Sequence, residues 1–100
     1  MNDRAIKYSF ADDVDMADVT ATLRLARVAV EALHGEDRIR FETRTHIDHD
    51  RHMCLIDTQT ESGRTLAIVF GGYVRREFGD DAVDVRMAPA DTVDLEGSTP

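Results

Sequence analysis

One hundred residues are enough for one domain with its own core, and a chain that is 42% hydrophobic and 32% charged has the composition of a folded protein. The formal net charge of −8, with Lys7 the only lysine, argues against nucleic acid and anionic membrane surfaces, which are held by clustered Lys and Arg; a basic protein or a cation suits it better. No apolar run approaches the roughly 18 residues of a membrane span, Met1-Asn2-Asp3-Arg4 is not the start of a secretion signal, and the single cysteine, Cys54, can form no internal disulfide, so the expectation is a cytoplasmic chain.

Ile6, Tyr8 and Phe10 alternate with Lys7, Ser9 and Ala11 and predict a half-buried first strand. The acidic run Asp12-Asp13-Val14-Asp15 then supplies a helix start, with Asp13 or Asp15 as the capping residue and its charge set against the positive end of the helix dipole. It lacks the alternating oxygens, central glycine and late glutamate of a calcium loop.

From Asp15 to Gly35 the apolar residues recur at the helical period. Met16, Val19, Leu23, Ala26, Val30 and Leu33 share one face, while Thr20, Arg24, Arg27, Glu31 and His34 form a polar stripe. Leu25 and Val28 belong to neither stripe. With Ala21, Ala29 and Ala32 they widen the apolar surface beyond the roughly 100° needed to cover one core. A helix with that much apolar arc has two things to touch.

From Arg38 the period changes to two. Ile39, Phe41, Thr43, Thr45 and Ile47 alternate with Arg40, Glu42, Arg44, His46 and Asp48, which predicts a long strand with one apolar and one wholly polar face. A turn near residues 48–51 leads into the nearly continuous apolar strand His52-Met53-Cys54-Leu55-Ile56-Asp57, whose apolar character on both sides suits a central position. The short link makes the two strands an antiparallel hairpin. Thr60 or Ser62 then caps a second helix on which Leu66, Ala67, Phe70, Tyr73, Val74 and Phe78 recur, closed by Gly79. Gly71-Gly72 inside it costs about 0.8–1 kcal/mol per residue against alanine. Either the pair lets another backbone approach closely, with the alanine side of the first helix as the expected neighbour, or it breaks the helix in two. Residues 82–87 alternate as a last strand, and residues 89–100 read as an acidic, mobile tail outside a single domain of residues 1–88.

The order strand, helix, strand, strand, helix, strand, joined by right-handed crossovers, predicts an α+β ferredoxin-like βαββαβ sandwich: a four-stranded antiparallel sheet with two helices on one face. That architecture hosts many functions and decides none.

Chemistry is sparse along the chain. The hairpin turn offers the only dense group of ligand types, and His46, Asp48, His49 and His52, with Cys54 nearby, are the candidate set for zinc or another divalent metal; no other cofactor is indicated. G-x-S-x-G, the P-loop and G-x-G-x-x-G are all absent, and no carboxylate pair lies in apolar surroundings, so no enzyme is expected. The open sheet face lacks the aromatic residues of an RNA-binding sheet, and the first loop has neither paired cysteines nor a glycine-rich phosphate cradle. Three expectations remain. The first is a protein interaction or assembly module, self-associating as a homodimer through Leu25, Val28, Ile68, Gly71 and Gly72, or engaging a basic protein. The second is metal binding at the hairpin. The third is a small-anion site or small enzyme on the open sheet face, using Arg40, Arg44 and His46.

Overall fold

The computed structural model describes residues 4–37, 39 and 43–89. Strand β1 (Ala5–Phe10) leads to helix α1 (Met16–His34), the hairpin β2 (Thr45–Asp48) and β3 (Met53–Asp57), helix α2 (Glu61–Phe78), a short 3-10 turn (Asp80–Ala82) and strand β4 (Val83–Ala88). The sheet order is β2-β3-β1-β4 and every pairing is antiparallel, which is the ferredoxin-like arrangement.

Both helices begin on a side chain and end on a glycine. Asp15, rather than Asp13, accepts the Ala17 N–H at 2.9 Å; Thr60, rather than Ser62, accepts that of Gly63 at 3.0 Å. At the far ends Gly35 (φ +91°) and Gly79 (φ +93°) adopt a backbone that favours glycine, each sending its N–H back to the carbonyl four residues earlier.

One face of the sheet carries Tyr8, Phe10, Cys54 and Ile56, which pack with Val19, Leu23, Ala26 and Val30 of α1 and Leu66, Phe70 and Val74 of α2 into the main core. Tyr8 joins the layers. Its ring meets Phe70 edge-on at 4.9 Å and its hydroxyl donates to the Ala67 carbonyl at 2.7 Å, so its buried polar atom is satisfied and its ionisation is pushed upward by burial.

Two expectations need correction. The strand foreseen from Arg38 begins only at Thr45: Glu36, Asp37 and Ile39 are helical, with the Ile39 N–H on the Gly35 carbonyl and the Thr43 N–H on that of Ile39. Ile39 and Thr43 are buried all the same, because a spacing of four satisfies both a helical turn and an alternating strand. Arg40, Phe41 and Glu42 lie outside the described residues, as does the predicted tail beyond Pro89. On the sheet face turned away from the helices Met53 and Leu55, with Ala5 and Ala88, form a second buried cluster, in keeping with the apolar character expected on both sides of β3. Finally, Leu33 is 72% exposed in the last turn of α1 instead of joining its core face.

The glycine pair leaves α2 unbroken and does not serve helix–helix contact. A Cβ on Gly71 would meet the Tyr8 ring at 3.6 Å, so this residue faces β1 rather than the alanines of α1, and a Cβ on Gly72 would meet nothing within 4 Å. The tight glycine is Gly63, in the first turn of α2. Its Cβ would stand 2.2 Å from the Asp57 carbonyl oxygen, so only glycine allows the helix to start so close to the end of β3.

Candidate functional site

The hairpin that supplied the metal candidates spreads them over the turn and both faces of the sheet. His46 pairs with Leu55 and Asp48 with Met53, which puts both on the sheet face away from the helices, whereas Cys54, opposite Ile47, faces the main core. Burial pushes the Cys54 thiol up to about 12, against a smaller opposing effect of the Arg27 guanidinium. Asp48 organises the turn, accepting the Arg51 N–H at 3.0 Å and standing 3.6 Å from the Arg51 guanidinium. His49 and His52 form the turn backbone: the His52 N–H reaches the His49 carbonyl, and His52, at φ +53°, offers its own carbonyl to the Phe10 N–H at 2.8 Å. No group of three or more His, Cys, Asp or Glu side chains able to hold a metal comes together among the described residues.

Of the anion candidates, Arg40 lies outside the described residues and His46 sits on β2. Arg44 forms an ion pair with Asp57, whose buried carboxylate also accepts the Gln59 N–H at 2.8 Å and the Gln59 side-chain amide at 3.1 Å. Asp57 therefore ties the loop before β2 to the turn before α2. A different set of cations, Lys7, Arg51 and Arg86, borders a shallow cleft on that face with Ser9 and Met53, yet Arg86 is paired to Asp84 at 2.7 Å and Arg51 lies beside Asp48.

The helical layer is where the apolar surplus appears. Its inner side is closed against the sheet, and His34 of α1 meets Thr65 of α2 at 3.1 Å. Its outer side carries Leu25 (64% exposed) and Val28 (63%) on α1 and Ile68 (76%) on α2. Ala21 and Ala32 are exposed too, so Ala21, Leu25, Val28 and Ala32 follow one another at steps of four, three and four along the face of α1 opposite its buried stripe. Next to Leu25, between the helices, lies a groove of about 210 Å³ bounded by Thr22, Tyr73, Arg76 and Glu77. Of the expected contact residues, Leu25, Val28, Ile68 and Gly72 thus sit on the outer surface, and Gly71 points inward at Tyr8.

Arg24 and Glu31, which the sequence places in the general polar stripe, flank this apolar row on one side. Their spacing of seven residues separates them by about 10.5 Å of helix rise. Compared with family models, curated proteins and solved structures, the chain matches none. No helix among the described residues is long and apolar enough to cross a membrane.

Proposed function

We propose that the chain is an assembly module that self-associates through the outer surface of its helical layer, without catalysis of its own. The observation that carries this reading is the exposure of Leu25 and Val28 at the middle of a 19-residue helix whose opposite face is already buried. Scattered exposed apolar residues are ordinary on a soluble protein, but aligned ones at helical spacing form a contiguous strip, and such strips mark contact surfaces. A two-fold pair is the commonest closed solution for a single patch of this kind.

The test is the solution mass across a concentration series, for the native chain and for the double variant Leu25→Asp, Val28→Asp. The native chain reaches twice 11.2 kDa as concentration rises, and the variant stays at 11.2 kDa with an unchanged circular-dichroism spectrum. A native chain that remains monomeric up to about 1 mM, where association is worth no more than about 4 kcal/mol, removes the proposal.

A further inference from the structure

We infer that the second copy docks with its α1 antiparallel to this one, in a seam of Leu25 and Val28 flanked by reciprocal Arg24–Glu31 ion pairs. The inference rests on the self-association proposed above and adds the partner's orientation. The steps of four, three and four from Ala21 to Ala32 are those of the core positions of a two-stranded coiled coil, here displayed on an outer face. The small residues lie at the ends of the row and the large ones at its centre. When such a row is laid antiparallel on a copy of itself, the two-fold axis passes beside residues 26–28. Leu25 then opposes Val28 of the second copy, and Ala21 opposes Ala32.

The flanking charges select this arrangement. Arg24 and Glu31 occupy equivalent positions one heptad apart on the same edge of the row, and antiparallel packing brings each opposite the other's counterpart, giving two identical contacts of opposite sign. A parallel pair would instead set Arg24 against Ala29 of the second copy and leave its charge without a mate. Neither side chain has an ion pair of its own among the described residues, so pairing across the seam breaks nothing. The row is thus complementary to itself in shape and in charge, and only in one direction.

The experiment is a charge reversal read by sedimentation equilibrium. Arg24→Glu alone and Glu31→Arg alone each turn two attractions into two repulsions and weaken the dimer about ten-fold, and the double reversal restores it. An equal mixture of the two single variants forms a mixed dimer more tightly than either forms with itself. Cross-linking gives an independent measure: Ala21→Cys mixed with Ala32→Cys yields a disulfide-linked mixed dimer, whereas each alone does not, and the native Cys54 is fully buried. A native dimer that ignores single reversals, or Ala21→Cys chains that link to each other, overturns the antiparallel seam and leaves self-association standing. A monomeric native chain overturns both.

Discussion

Two glycine-to-alanine changes within α2 are predicted to move stability in opposite directions. At Gly63 the added methyl would lie 2.2 Å from the Asp57 carbonyl oxygen, a backbone atom fixed at the end of β3, and 3.0 Å from the Thr60 hydroxyl that caps the helix. Relieving the clash means displacing the first turn of α2, which costs about 1–3 kcal/mol for overpacking and about 0.5–2 kcal/mol for a weakened cap, against a propensity gain of about 1 kcal/mol. The net loss is about 2 kcal/mol. At Gly72 nothing stands within 4 Å of the new methyl and the backbone is helical, so Gly72→Ala gains about 0.8–1 kcal/mol from the lower entropy of the unfolded chain and better helix propensity. A change of 1 kcal/mol moves Tm by about 4–8 °C in a domain of this size, so the two variants should melt more than about 10 °C apart. Thermal and urea unfolding followed by circular dichroism measures this, at one low protein concentration so that association does not contribute. A Gly63→Ala protein as stable as the native chain would refute the close approach of α2 to β3.

Two further predictions concern buried polar groups. The Cys54 thiol is held neutral by burial, with its ionisation moved from 9.0 to about 12, so the folded state keeps its proton more tightly than the unfolded chain does. The associated stability is complete below pH 9 and is lost as pH rises from 9 towards 12, with Tyr8 acting in the same direction. The urea midpoint should therefore fall between pH 8 and pH 10, fall less in Cys54→Ala, and a thiol reagent should label Cys54 only on unfolding; rapid labelling of the native protein contradicts the burial. Asp57→Ala removes a buried carboxylate that receives Arg44 and both nitrogens of Gln59, and should cost about 3 kcal/mol. Arg44→Ala, whose side chain is about half exposed, should cost less by urea titration, and equal losses would show that the carboxylate is not the anchor.

The sheet order and both helices were legible because period and punctuation agree in them: each helix has a capping oxygen, an apolar stripe and a terminal glycine, and β3 is apolar on both sides as a central strand must be. The segment around Ile39 was misread because period alone cannot separate a helical turn from a strand over four residues. Gly71 and Gly72 were noticed for their helix cost, while Gly63, the glycine with a steric duty, looked like turn material; its role depends on a carbonyl six residues away that only the folded chain brings near. In the histidine-rich turn, too, spacing along the chain and placement in the fold differ. Its density of ligand types is real, but alternation sends Cys54 to the opposite face from His46 and Asp48, which period two alone already implies.

Among the described residues, nothing covers the second apolar row of α1. A helix resting on a sheet needs one stripe, which Met16, Val19, Leu23, Ala26 and Val30 provide, and α2 shows what the outer side looks like without a further demand: Arg64, Gly72 and Arg75, with Ile68 the lone large apolar residue. On α1 the outer side carries Leu25 and Val28, each about two-thirds exposed, so covering both in each copy of a pair gains about 4–8 kcal/mol in total. Association itself costs at least about 4 kcal/mol, which leaves at most about 4 kcal/mol, a contact no tighter than about millimolar, from apolar burial alone. In that range a few tenths of a kcal/mol from each flanking charge matters more than it would in a tight interface. In the proposed pair such a contact would form and part with changes in local concentration, and the position of Arg24 and Glu31 would decide which way round the copies meet.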